Sequence, residues 1–224
     1  MLRRPKLVLI DLDGTLVDSV MDIAVAVDKM MVDIGMPLRG EAKVRDWVGN
    51  GVERMVKRAL TDSLHDEPDE ALFAKAYPIF LDHYQAANGH HSQLFSGVEE
   101  GLALLKAEGY VLGCVTNKAE SFTVPLLKAK GIYDYFGVVV SGDTLSVKKP
   151  DPAPLLHGAK ELGVSPEESL MLGDSMHDVE AARRAGFQVI CVSYGYNHGN
   201  DIREANPDAV IDSFVELKDL LPNN

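Results

Sequence analysis

Apolar residues along this chain follow two rhythms. In the first they form short unbroken runs. Leu7-Val8-Leu9-Ile10 is one, and Tyr110–Val115, Val138–Val140, Ser169–Leu172, Val189–Val192 and Ala209–Ile211 follow. Runs of this length predict strands covered on both faces. In the second rhythm apolar residues recur at helical spacing. Val20, Ile23, Ala24, Val27, Met30, Met31 and Ile34 share one broad face, with Ser19 as candidate N-cap and Gly35 as the stop. A second helical stretch begins near Glu41 with Val44, Trp47 and Val48. It breaks at Gly49-Asn50-Gly51 and resumes through Val52, Met55, Val56 and Leu60. A third covers residues 69–87, where Pro78 predicts a kink or a boundary.

From Ser96-Gly97 onward the two rhythms alternate, with helical segments near 97–108, 119–130, 152–162, 177–185 and 214–221. Such alternation predicts a parallel sheet with helices on both faces. Residues 19–90 contain no strand pattern, so they read as a helical insertion directly behind the first strand. The expected fold class is α/β. A Rossmann-like parallel-sheet core is formed by residues 1–18 and 91–224, and residues 19–90 form an inserted helical cap. A chain of 224 residues has room for both.

Composition narrows the function classes. A net charge of −12 argues against nucleic acid or an acidic membrane surface as partner. A small phosphorylated metabolite stays compatible, because a metal and a few cations reverse the field locally. No segment approaches the roughly 18 apolar residues of a membrane span. The basic start through Lys6 is followed by only four apolar residues before Asp11, so it does not read as a secretion signal. Cys114 and Cys191 each lie inside an apolar run and read as buried thiols, which suggests a reducing cytoplasm. The expected assembly is a monomer or small homo-oligomer.

Polar residues at the strand ends carry the chemistry. The first run ends in Asp11-Leu12-Asp13-Gly14-Thr15. Two carboxylates so close repel each other unless a cation or a shared proton lies between them. Thr116-Asn117 ends a later strand and offers a hydroxyl, an amide and backbone N–H groups to phosphate oxygens. Lys149, held extended before Pro150, suits neutralisation of a phosphoryl group, and Asp151 can cap the helix behind it. Gly173-Asp174-Ser175 ends another strand, and Asp178 follows in the first helical turn. Asp174 can share a Mg²⁺ with Asp11 and Asp13, since Mg²⁺ prefers hard oxygen ligands completed by water and phosphate. Asp178 can orient Lys149 or a metal-bound water. Capping, turn or solvation roles would explain each later station singly. Four stations at the ends of four parallel strands fall on one sheet edge, where ligands bind in such folds.

Together these residues resemble the haloacid dehalogenase superfamily of phosphatases, over the whole chain. Asp11-Leu12-Asp13-Gly14-Thr15 is similar to its first motif, Thr116 to its second, Lys149 to its third, and Gly173-Asp174-Ser175 with Asp178 to its fourth. Residues 19–90 resemble the helical cap of one branch. Two departures are Ile10, where Phe is usual, and Ser96, where Pro often precedes Gly97. The resemblance implies that Asp11 attacks phosphorus and that Asp13 protonates the leaving alkoxide and then activates water. It implies Mg²⁺ on Asp11, Asp174 and the backbone carbonyl of Asp13, with Thr116, Asn117 and Lys149 on the phosphate oxygens. Asp178 and Ser175 stand behind them. Gly49-Asn50-Gly51 is the candidate cap loop that reaches the substrate, a plain helix–helix turn being the alternative. Arg54 and Lys57 are candidates for a substrate carboxylate, with a solvated helix face as their alternative. Tyr194-Gly195-Tyr196 reads as a loop wall near the same edge. A phosphosugar mutase of the β-phosphoglucomutase kind keeps both Asp residues and stays open as a rival. A non-enzymatic binding domain is expected to lack one of the four stations, and none is missing.

Overall fold

The computed structural model describes residues 2–221. Strand β1 (Leu7–Ile10) leads through a tight loop into the two-residue β2 (Val17–Asp18). The helices α1 (Val20–Asp33), α2 (Gly40–Trp47), α3 (Val52–Thr61) and α4 (Glu70–Ala87) follow. The chain returns through β3 (Gln93–Leu94), which pairs antiparallel with β2. Next come α5 (Val98–Ala107), β4 (Val111–Val115), α6 (Glu120–Ala129) and β5 (Val138–Val140). Then follow α7 (Ala153–Glu161), β6 (Ser169–Gly173), α8 (Met176–Ala185), β7 (Gln188–Val192), β8 (Ala209–Ile211) and α9 (Leu217–Leu220).

Among the described residues, six strands form one parallel sheet in the order β5-β4-β1-β6-β7-β8. The apolar runs are unbroken because both faces are covered. Val8, Ile10, Leu112, Cys114, Leu170 and Leu172 point to one side, with Leu102 of α5 and Leu126 of α6. Leu7, Leu9, Val115, Met171 and Val189 point to the other, with Leu155 of α7 and Val179 of α8. Successive connections run outward from β1 through β4 to β5, then cross back to β6 on the other side. The order therefore reverses between β1 and β6, and that crevice is where open α/β sheets bind ligands.

Helices α1 to α4 gather around Val27, Met30, Met31, Val56, Phe80 and Tyr84. Four local expectations change. Pro78 does not break α4, which runs on through it with both Pro78 and Ala74 on its exposed side. Ser19 does not cap α1, because its hydroxyl is used elsewhere. Residues 214–221 hold a 3₁₀ turn and then the single turn of α9, not one helix. Pro152, not Asp151, is the N-cap of α7, and Asp151 stands one position earlier and accepts from Ala153 N at 2.9 Å. No helix among the described residues is long and apolar enough to cross a membrane. Both cysteines are buried and free.

Candidate active site

Because β1 lies between β4 and β6, Asp11 leaves the sheet level with Val115 and Gly173, one residue before Thr116 and Asp174. Asp11 Oδ1 accepts from Leu12 N at 2.7 Å and from Lys149 Nζ at 2.9 Å. Lys149 also donates to Asp178 Oδ1 at 2.7 Å and to the Val115 carbonyl at 2.9 Å, so each of its three N–H groups has an acceptor. Asp178 Oδ2 accepts from Ser175 Oγ at 2.7 Å and Ser175 N at 3.1 Å, which closes a capping box at the start of α8. Asp174 is held by Thr15 Oγ1 on one oxygen and by Tyr196 N on the other, both at 2.8 Å.

The carboxylates of Asp11, Asp174 and Asp178 each offer an oxygen within 4.8 Å of the others. The cluster differs from the expected set. Asp178 belongs to it, and the Asp13 carboxylate does not. Asp13 turns instead to Lys118 Nζ, at 2.9 and 3.1 Å, and to Ser19 Oγ at 2.5 Å. Burial pushes the Asp11 carboxyl up to about 7, against the pull of Lys149 and with the added repulsion of Asp178. Asp174 is also raised, by burial and then by Asp11 and Asp178. Burial would raise Asp178 too, but Lys149 and the Ser175 donors outweigh it and hold the group below the ordinary range. Burial would lower Lys149, yet Asp11 and Asp178 keep it firmly charged.

A small cavity opens beside Asp11, Asp13, Thr116 and Lys118. Its far wall is apolar: Ile23, Val48, Val52, Met55 and Tyr84, from α1, α3, α4 and the α2–α3 turn. Gly49 and Gly51 line it as well. Asn117 lines the cavity, but its side chain is spent on the backbone. Its amide donates to the carbonyls of Gly49 and Lys149 at 2.9 and 3.0 Å, and its oxygen accepts from Lys149 N at 2.9 Å. It therefore ties the α2–α3 turn to the Lys149 loop and has no amide left for a phosphate. Asn50 makes a second tie, to His177 Nε2 at 2.9 Å. Arg58, buried behind it, fixes Asn50 Oδ1 at 2.8 Å. Arg54 and Lys57 do not reach the cavity. Both pair with Glu67, and Lys57 also with Glu53.

The comparisons agree with this arrangement. Residues 8–192 match the family model described as haloacid dehalogenase-like hydrolase. The chain belongs to that family. It is 60% identical to a phosphoglycolate phosphatase of Nitrosococcus oceani, over 99% of this chain and 98% of that protein. It is 50% identical to one of Thiobacillus denitrificans, over 94% and 93%. A crystal structure of a predicted phosphoglycolate phosphatase from Haemophilus somnus superposes with a TM-score of 0.92 at 34% identity, covering 99% of this chain and all of that one. In this hydrolase the roles of three neighbours of the site were not legible in the sequence. Lys118 directly follows Thr116-Asn117, and its place at a strand end was the available signal. Tyr84 reads as one more buried residue of α4. Tyr196 reads as loop, although its N–H holds Asp174 and its hydroxyl accepts from Ser19 N and Val20 N at 2.9 and 3.2 Å.

Proposed function

We propose that this hydrolase is a Mg²⁺-dependent phosphomonoesterase of the cytoplasm that converts 2-phosphoglycolate to glycolate and phosphate. The observation that carries the chemistry is the divergence of two carboxylates two residues apart. Asp11 faces the Asp174–Asp178 cluster and Lys149, while Asp13 faces Lys118 and Ser19. Such a split suits a nucleophile and a separate acid–base group. The substrate rests on the names of the relatives at 60% and 50% identity. The small cavity beside Asp11 and Asp13 suits a small metabolite.

Asp11 attacks phosphorus through a carboxylate oxygen, and the bond to the ester oxygen breaks as the acyl phosphate forms. Lys149 and Asp178 fix the angle of Asp11 before substrate arrives, and Thr116 donates to the transferred phosphoryl group. Asp13 delivers a proton to the departing alkoxide. It then takes one from the water that cleaves the acyl phosphate, which restores Asp11. Three clustered carboxylates facing a single ammonium suit a hard divalent cation, and Asp11 and Asp174, with the backbone carbonyl of Asp13, would hold Mg²⁺. When bound, Mg²⁺ supplies positive charge to the phosphoryl oxygens and orients them. Residues 19–90 act as a cap over a core of residues 1–18 and 91–224, keeping water from the reacting centre.

Phosphate release from a panel of small esters, with Mg²⁺ and then with chelator, tests the reading. A sharp preference for 2-phosphoglycolate that is lost with chelator is the expected result. Broad, weak, Mg²⁺-dependent release would remove the substrate and keep the chemistry. Asp11→Asn keeps the shape of the side chain and removes its nucleophilic oxygen, so turnover should vanish while the thermal melt stays cooperative.

A further inference from the structure

Lys118 does more in this cavity than partner Asp13. Asp11, Asp13 and Lys118 are the charged groups that line the cavity, so among the described residues Lys118 is its one lining cation. It is only 4% exposed, so bulk water screens its charge weakly. It also donates to the hydroxyl of Tyr84. Since Tyr84 accepts that bond, its own phenolic hydrogen remains to be given, and no acceptor for it exists among the described residues. Burial pushes Tyr84 up to about 12, so it stays a phenol and a donor. The ring is fixed between Phe80 and Phe122. Two anchored donors thus stand beside Asp13, the group that the phosphatase reading assigns to the leaving alkoxide. The rest of that wall, Ile23, Val52 and Met55, offers nothing to a polyhydroxylated leaving group.

We infer that Lys118 and Tyr84 form the receptor for a carboxylate on the leaving group, and so select short phosphorylated acids over uncharged esters. This inference rests on the phosphatase reading above and names the residues that enforce its substrate. A carboxylate between an ammonium and a phenol accepts one charge-assisted and one neutral hydrogen bond in a site shielded from water. An uncharged ester of the same length leaves both donors without a new partner, the kind of mismatch that polar sites reject most strongly.

The test compares 2-phosphoglycolate with ethyl phosphate, the two-carbon ester that lacks the carboxylate, in wild type, Lys118→Met, Lys118→Arg and Tyr84→Phe. The quantity read is the ratio of kcat/KM for the two esters. Because Lys118 also touches Asp13, both rates fall in Lys118→Met, and only the ratio isolates carboxylate recognition. The ratio should drop about tenfold or more in Lys118→Met and about threefold in Tyr84→Phe. Lys118→Arg, which keeps the charge, should recover part of it. Glycolate should inhibit ethyl phosphate turnover in wild type and lose most of that inhibition in Lys118→Met. An equal loss for both esters, with the ratio unchanged, would overturn the inference and leave Lys118 as a positioning residue for Asp13. If Lys118→Met fails to fold, an unchanged ratio in Tyr84→Phe overturns the paired receptor. A wild type that hydrolyses both esters without preference would sink the substrate reading together with this one. A preference that survives Lys118→Met would sink this one alone.

Discussion

Asp11 and Asp13 share a loop, a residue type and a distance of two positions, and the chain gives them opposite company. Their presence at the end of a buried strand was legible, because few reasons other than chemistry put a second acid there. Which carboxylate faces which cation was not legible, since that depends on Lys118 and Lys149 arriving from distant strand ends. The same limit explains Asn117, whose type suits a phosphate but whose amide is taken by two carbonyls. One consequence is a pH dependence. Without a cation, Asp11 is raised to about 7 and Asp174 is also raised. The folded protein then binds more protons than the unfolded chain between an ordinary carboxyl value of about 4 and about 7. Metal-free stability should therefore fall as pH rises through that window. A divalent cation needs these groups ionised, so the rise in Tm on adding Mg²⁺ should be larger near pH 8 than near pH 6. Thermal melts with and without Mg²⁺ at both values check this. A larger gain at the lower pH would contradict the assignment of Asp11 and Asp174 to the cation.

At the level of elements, strands β1, β4, β5, β6, β7 and β8 fall within one residue of the runs that announce them. A short unbroken apolar run bounded by glycine or polar residues has few other uses. The ribbon of β2 and β3 had no such signal, because two residues establish no period. The loop after β7 was also opaque, since its work is done by backbone. Gly195 brings the chain so close that a Cβ there would stand 2.1 Å from the Asp174 Cβ. A Cβ on Gly14, on the opposite side, would stand 2.3 Å from Asp174 Oδ2. The first clash meets a Cβ that cannot swing away, and the second an oxygen that Tyr196 N holds in place. Asp174 thus owes its direction to two glycines and to Tyr196 N. Gly195→Ala should push the Asp174 carboxylate out of the cluster. The Mg²⁺ concentration for half-maximal activity should rise about tenfold or more, the scale of losses when a ligand's supporting contacts are removed. A Mg²⁺ titration of phosphate release measures it, and an unchanged midpoint would mean that Asp174 does not need this packing.

For the molecule as a whole, the question is how helices α1 to α4 stay in register with the sheet edge, which they meet at two chain crossings as well as through the α2–α3 turn. The change of rhythm after α4 was readable in the sequence, but the fastenings were not. At the outgoing crossing the Tyr196 hydroxyl does the capping that Ser19 leaves undone, and it donates to Asp18 Oδ1 at 2.7 Å. At the returning crossing the chain is gripped from both sides. Asp22 of α1, fully buried, accepts from His91 N at 2.7 Å, Gly89 N at 2.8 Å and Ser92 N at 3.3 Å. Lys130, just past α6, donates to the carbonyls of Gly89 and Ser92 at 3.0 and 2.5 Å. By sequence Asp22 is only an acid in a first helical turn, a position that suits the helix dipole. Its burial gives it a different task. Asp22→Ala leaves three backbone N–H groups without their acceptor and should destabilise the protein by about 2–4 kcal/mol. Asp22→Asn keeps one oxygen acceptor and should lose roughly half of that. Tyr84 lies on the last turns of α4, immediately before this crossing, so loosening residues 88–92 displaces the apolar wall of the cavity while Asp11 and Lys149 keep their partners. KM for 2-phosphoglycolate should rise more than kcat falls, and protease cleavage should appear between residues 88 and 92. Thermal melts, steady-state kinetics and limited proteolysis on the two variants read these effects separately. A melt for Asp22→Ala equal to wild type would show that Lys130 alone holds the crossing.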